Sequence, residues 1–503
     1  MKRLVIAVLA LCLSYRDAPA QSAQTTLKDA VARLAAETAR EVIYVERFGG
    51  SALPGDDHWY ANFGYYSVST QVKAYRDGAR LCKLDLTTRQ RIVLLDDPQG
   101  TIRDPCVHYD AQRLVFSYRK GGSANFHLYT LNLDGTELTQ LTDGRYDDIE
   151  PAWLPDDSLV FCSSRAKRYV QCWLTQVATL HRCDADGRNI TPISANVEQD
   201  NTPWPLPDGR ILFMRWEYVD RSQVHYHHLW TCNPDGTGHA VYFGNYHPGG
   251  VYIDAKPIPG SDKVVFINSP GHGQREHYGH VATVSPANGP DDLGALRNLT
   301  PGADFADPWA FSEDLFMAAS HKDLVFLNAA GERLTAYSAA DNIHEPRPVL
   351  RRPREKLLPI RTDATQATGT LFLQNVYAGR NMAGVKPGEI KRLLLLESLP
   401  LPVHYAGGME PISAGGTFTI ERLLGTVPVD EDGSACFTVP ANRPFLAVAL
   451  DANDMSVKRM HSFFSVAPGE TLGCVGCHEP RTQSPPSAAA PPRAPQRAPD
   501  TPA

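Results

Sequence analysis

The sequence predicts an all-β protein: a six-bladed β-propeller followed by a β-sandwich-like C-terminal domain ending in a C-x-x-C-H motif. Three observations lead there. A short polar-Pro element followed by a strand recurs six times. Asp-Gly turns separate alternating strands. A second set of strands, outside the repeat, follows residue 350.

The repeat emerges when the chain is aligned on proline. Its copies are Asp104-Pro105 with Arg113 to Phe116, Glu150-Pro151 with Ser158 to Phe161, and Thr202-Pro203 with Arg210 to Phe213. Lys256-Pro257 with Lys263 to Phe266 and Asp307-Pro308 with Glu313 to Phe316 follow, and Glu345-Pro346 is a decayed sixth. The prolines lie 46, 52, 54, 51 and 38 residues apart, near the length of a four-stranded blade. Asp134-Gly135 and Asp235-Gly236 are hairpin signals within the units. The pattern resembles the TolB-type propeller repeat. Glu41 to Arg47 opens the first blade, completed around Leu81 to Leu95. A seven-bladed or irregular β array is the competing architecture.

The resulting division is a signal peptide over 1–20, an N-terminal helix within 21–40, the propeller over 41–350, and the sandwich-like domain with its motif over 351–482. Arg351 to Lys356 reads as a basic, solvated linker. Strands Thr370 to Val376, Lys391 to Leu396, Gly416 to Ile420, Gly425 to Val429, Ala435 to Val439 and Leu446 to Leu450 suggest the sandwich. The Pro/Ala-rich tail over 483–503 is expected to be disordered.

Lys2 and Arg3, the apolar run Leu4 to Leu13 and Ala18-Pro19-Ala20 have the pattern of a Sec-type signal peptide cleaved near Ala20. A lipoprotein signal using Cys12 is the alternative. Export places the mature chain in the periplasm or outside the cell. No later run is long and apolar enough to insert in a membrane. With a net charge of −7, the chain has no footprint for nucleic acid. No phosphate loop, dinucleotide fingerprint or nucleophile elbow occurs.

Cys474, Cys477 and His478 form the chemically most specific pattern. Two thiols three positions apart can each form a thioether to one haem vinyl group, and the adjacent imidazole is an axial iron ligand. One covalent haem c is therefore expected. A zinc half-site, a disulfide or chance are the other readings, and no second C-x-x-C supplies the rest of a zinc site. Met455, Met460 and His461 are the candidates for the distal haem ligand. The remaining Cys82, Cys106, Cys162, Cys172, Cys183, Cys232 and Cys436 are odd in number, so disulfides alone cannot use them all.

The loops that follow the Phe-ending strands fall at one end of the propeller. They carry Cys162, Cys172, His225, His227, His272, His277 and His280. Imidazole and thiolate suit zinc or copper, so an additional ion there is one reading. Hydrogen-bonded packing between blades is the other. In a strand His227 and His228 point to opposite faces, while His225 and His227 share one.

With these features stand Tyr377 to Lys386, Gly408 to Pro411, Leu424 to Pro428, Asp430 to Ser434 and Pro468-Gly469-Glu470 before the cysteines. Together they resemble the hydrazine synthase alpha-subunit-like family over nearly all of the mature chain. The resemblance implies a six-bladed propeller with a haem c-bearing C-terminal part close to it. Alpha subunits of that family carry a further haem domain and work beside partner subunits. This sequence has one C-x-x-C-H, so hydrazine synthesis by this chain alone is not expected. The expected function is redox: electron transfer with a partner protein, or a haem-dependent oxidoreductase acting on a small nitrogen or oxygen species. A propeller docking module with a structural haem or metal, and a zinc or copper propeller enzyme, are the alternatives.

Overall fold

A computed structural model describes residues 26–47, 77–171, 176–222, 224–270, 278–379, 381–400, 420–477 and 491–503. The predicted leader lies outside these residues. A helix, Leu27–Glu37, begins at Thr26, whose side chain accepts the Asp29 backbone N–H at 3.2 Å. Its Val31 and Leu34 pack on Val42, Leu324 and Phe326 of the propeller.

Six blades of antiparallel strands follow one another around an axis. A single parallel bridge, His227 to Val251, links the fourth blade to the fifth. Blade 1 closes the ring. Its inner strand is Asn342–Val349, followed outward by Glu41–Arg47, Ala79–Asp85 and Arg91–Asp97. Glu345-Pro346 therefore completes the blade that Glu41 opens instead of starting another. Pairing the two ends of the propeller segment covers what would otherwise be free sheet edges.

The inner strands of the other blades are Thr101–Val107, Asp148–Trp153, Asp200–Pro205, Val251–Pro257 and Ala306–Ser312. Every inner strand has one left-handed residue: Asp104, Glu150, Thr202, Asp254, Asp307 and Glu345, with φ between 45° and 57°. The pairing register shifts at each of these positions, as it does in a β-bulge. Proline follows in five blades and Ala255 in the fifth. The repeat of blade 5 is thus Asp254-Ala255, and Lys256-Pro257 lies farther along the same strand. A bulge leaves an amide outside the ladder, so a residue without an N–H fits there.

The polar residue before that proline joins neighbouring blades. The Glu150 N–H donates to the Asp104 carboxylate at 3.0 Å. The Thr202 N–H donates to Glu150 at 2.6 Å, and the Asp254 N–H to the Thr202 hydroxyl at 3.1 Å. The Glu345 N–H donates to Asp307 at 2.9 Å. In these four blades the left-handed bulge frees its amide from the ladder, and the preceding blade supplies the acceptor. Cations neutralise the ring: Arg103 lies 3.0 Å from Glu150, Arg47 pairs with Glu345, and Lys256 with Asp254.

Residues after the propeller cross the end of the disc where the inner strands finish. The Arg352 guanidinium lies 4.7 Å from the Tyr109 ring, 5.3 Å from Trp204 and 5.9 Å from Trp309. Arg354 donates to the Pro155 carbonyl at 2.7 Å. The segment expected to be a solvated linker is in part a strap. Arginine stems and planar guanidinium groups pack well on indole and phenol rings.

The C-terminal domain has two sheets. One is ordered Ala435–Pro440, Thr368–Leu373, Thr471–Cys474; the other Glu421–Pro428, Arg392–Ser398, Phe445–Leu450, Ser456–Arg459. Leu371, Leu373, Leu393, Leu395, Phe437 and Phe445 fill the space between them. The described part of the tail is docked, contrary to the expectation of disorder. Thr438 N–H donates to the Asp500 carbonyl and Asp500 N–H to Cys436, both at 2.8 Å, and Ala494 is buried. Composition reports the missing apolar side chains, but this tail is held through backbone groups at a sheet edge.

Candidate functional site

Cys474 ends the strand Thr471–Cys474, which runs parallel to Thr368–Leu373 and pairs Cys474 with Leu373. The chain then stays against the segment after Leu373. Gln374 N–H donates to the Cys474 carbonyl at 2.8 Å, and Asn375 N–H to Val475 at 3.1 Å. The Cys477 N–H returns to the Ala378 carbonyl at 2.6 Å. Two glycines permit this approach. A Cβ on Gly476 would strike the Ala378 carbonyl, and one on Gly379 the Cys477 carbonyl. Gly379 also has φ 149°, a conformation that side chains disfavour.

Both cysteines are half-buried and pack at the rim of the inter-sheet core, near Val376, Met382 and Ile390. Among the described residues, chain neighbours apart, no atom lies within 4 Å of a Cβ built on Gly473. Two half-exposed sulfurs at the edge of an apolar core, next to open space, fit thioether attachment of a flat apolar macrocycle. Tyr377 ties the facing segment to the turn before Arg392: its hydroxyl accepts the Gly388 N–H at 2.8 Å and donates to the Ile390 carbonyl at 3.1 Å. His478 lies outside the described residues.

The distal candidates are not brought to the cysteines. Met455 is 66% exposed in a turn. Met460 packs with Leu446, Val448 and Leu450, and its sulfur accepts the Ala447 N–H at 3.4 Å. Those residues alternate with Phe445, Ala447 and Ala449 of the inter-sheet core, so Met460 is on the opposite face of its sheet from the cysteines. His461 is exposed, and its carbonyl accepts the Arg221 N–H at 3.2 Å. That short stretch is an interdomain contact.

The described members of the expected His/Cys cluster are likewise not brought together. Among the described residues, no three His, Cys, Asp or Glu side chains are grouped to hold a metal ion. His227 is buried, stacked 4.8 Å from Trp216. His225 is exposed, because the chain turns at Ser222, whose hydroxyl accepts the His225 N–H at 3.2 Å. The two therefore share no face, and the strand begins only at His227. His228, on the other side, bonds the Gly249 carbonyl at 2.9 Å, and burial lowers its pKa to about 4. His280 donates to the Thr300 carbonyl at 2.8 Å. Cys162 donates to the Asp200 carbonyl at 3.1 Å inside a blade core, and burial pushes its thiol well up. Cys172, His272 and His277 lie outside the described residues.

Sequence reasoning missed the role of the acids before the prolines. Asp104, Glu150, Asp254, Asp307 and Glu345 line a cavity of about 50 Å³ with Arg103 and Arg347. Burial raises Glu150, Asp307 and Glu345 above the ordinary carboxylate range. Their periodic recurrence was the available signal.

The hydrazine synthase alpha subunit middle domain profile matches residues 380–479, ending just beyond the second cysteine. Hydrazine synthase subunit alpha of Kuenenia stuttgartiensis is 23% identical over 80% of this chain and 62% of its own length. The chain is similar to hydrazine synthase alpha subunits in this domain and, more distantly, along most of its length. It thus spans less than two thirds of that curated relative. The solved Kuenenia stuttgartiensis hydrazine synthase superposes with a TM-score of 0.74 at 18% identity, over 91% of this chain and 71% of that one. TolB from Acinetobacter baumannii aligns over 61% of this chain and 65% of its own, at 13% identity and a TM-score of 0.41. The likeness to hydrazine synthase alpha subunits and the all-β propeller-plus-sandwich architecture agree with the sequence reading.

Proposed function

We propose that this chain is an exported c-type haem protein whose haem is linked to Cys474 and Cys477, with His478 as axial ligand, and that it acts in redox chemistry beside a partner protein. The single observation that carries the reading is the Cys474–Cys477 loop. It is fixed by two close glycine approaches, flanked by apolar core and open beyond Gly473. The name of the curated relative, a subunit of hydrazine synthase, supports a partner and small nitrogen species as the substrate class.

Bound haem c would supply one-electron chemistry. The chain's own residues have three tasks. Cys474 and Cys477 anchor the group covalently. Gly379 and Gly476 hold their loop in one shape. Val376, Met382 and Ile390 keep water from its inner side.

The test is expression of the full chain in a host that matures haem c. Expected are a reduced-minus-oxidised spectrum of haem c, one haem mass surviving denaturation, and a mature N-terminus at Gln21. Cys474→Ala with Cys477→Ala should abolish the mass. A colourless protein without added mass would overturn the haem; an uncleaved leader would overturn export.

A further inference from the structure

A cavity of about 350 Å³ lies where the third blade meets the C-terminal domain. It is within the range that admits a small molecule. Arg165, Arg168, Thr179, His181 and Ser194 line it from the blade and Asn442 from the C-terminal domain. Among the described residues no carboxylate lines it.

Its charge is unbalanced. Arg165 is matched by Asp148, at 2.8 Å. Arg168 is different. It is only 8% exposed, and among the described residues its side chain makes one hydrogen bond, from Nη1 to the Asn196 carbonyl at 3.0 Å, while its buried Nε has no partner. Two acids bear on its charge, but neither is in ion-pair contact with it. Glu198 is fully buried and accepts the Gln171 N–H at 2.9 Å, and burial pushes its carboxyl toward the neutral form. Glu397 already serves Arg422 and Arg443. A guanidinium removed from water with no carboxylate in contact is costly, so such a site favours an anion.

Neutral groups add donors. The Ser194 hydroxyl oxygen accepts the Leu180 N–H at 2.9 Å, which leaves its proton free to donate. Asn442 presents an amide from the other domain and sits at φ 55°, a conformation that Asn and Asp tolerate. His181 donates through Nδ1 to the Thr179 carbonyl at 3.0 Å, and burial lowers its pKa, so it adds no fixed charge.

We propose that this cavity is a binding site for a small oxyanion, held by Arg168 with Ser194 and Asn442 and clasped between the third blade and the C-terminal domain. The guanidinium fork matches the spacing of two oxygens on a carboxylate or phosphate group. Because Asn442 comes from the second domain, the bound anion also ties that domain to the propeller.

The experiment is calorimetric titration of the full chain with inorganic phosphate and, separately, with malonate, at ionic strength held constant with chloride. Saturable one-to-one binding of at least one is expected, with a rise in melting temperature on saturation. Phosphate alone would mark a phosphate-bearing ligand, and malonate alone a carboxylate. Arg168→Gln should weaken binding at least tenfold. If that variant fails to fold, Asn442→Asp decides: it keeps the backbone preference and puts a negative charge opposite the ligand, so it should also weaken binding at least tenfold. No saturable heat with either anion, or wild-type affinity in Asn442→Asp, would overturn the site. Neither readout depends on haem.

Discussion

The backbone N–H of Cys477 meets the carbonyl of Ala378 at 2.6 Å, and the space beside Gly379 where a side chain would stand holds the Cys477 carbonyl. The cysteine loop is thus shaped by a segment almost a hundred residues earlier in the chain. Gly379→Ala should misplace Cys477 at a cost of about 1–3 kcal/mol in local strain. Expressed beside wild type in a haem c-maturing host, it should carry less covalent haem per chain. Equal loading would show that the loop tolerates displacement. Gly473→Ala, with open space around its Cβ, is the matched control and should load as wild type.

That contrast shows what sequence can reveal. Cys474, Cys477 and His478 are adjacent and were legible at once, whereas the clash that makes Gly379 special needs the fold. The propeller was legible because proline marks five of the six bulges. The same marker misled in blade 5, where Ala255 follows the bulge and Pro257 only ends the strand. Met460 was placed near the haem by chain proximity, but strand alternation turns it to the other face. The histidines drew attention as ligands, yet His280 answers a carbonyl and His227 stacks on Trp216.

The axial ring predicts a pH dependence of stability. Burial raises Glu150 and Glu345 relative to the unfolded chain, so the folded protein binds more protons as pH climbs past the ordinary carboxylate range. Their contribution is full below that range and is lost as pH rises through the folded values. His228 and His239, lowered to about 4 from 6.5 by burial, act oppositely, and their penalty is confined below pH 6.5. Burial lowers Lys256 to about 8, so it contributes its own slope only above that. Between pH 6.5 and 8 the melting temperature should therefore fall. Glu345→Gln, which keeps a neutral side chain in place, should flatten that fall; an unchanged slope would remove Glu345 as its source.

Phe463 joins the two domains. It packs with Val197 and Val219 of the propeller, and the Arg215 guanidinium lies 5.7 Å from its ring. Arg459 pairs with Asp220 at 2.6 Å beside it. Phe463→Ala should cost about 3 kcal/mol through lost burial and a cavity at the junction. Differential scanning calorimetry should then show the C-terminal domain melting ahead of the propeller. A single transition at the wild-type temperature would mean that other contacts carry the junction.

Arg352 fixes where the C-terminal domain begins. Its guanidinium sits among Tyr109, Trp204 and Trp309, rings contributed by three different blades, and Glu355 is 3.6 Å away. Such a contact restrains the chain after Val349 and bears on the ring closure itself, because the closing strand ends just before it. Cation–ring attraction and lost stem packing put the cost of Arg352→Ala at about 1–2 kcal/mol. Arg352→Lys keeps the charge but not the plane, and should recover less than half of it. Limited proteolysis should report the loss first as cleavage within 351–358, before the blades become susceptible. If Arg352→Ala is cut no faster than wild type there, the strap is held by Arg354 and its bond to the Pro155 carbonyl instead.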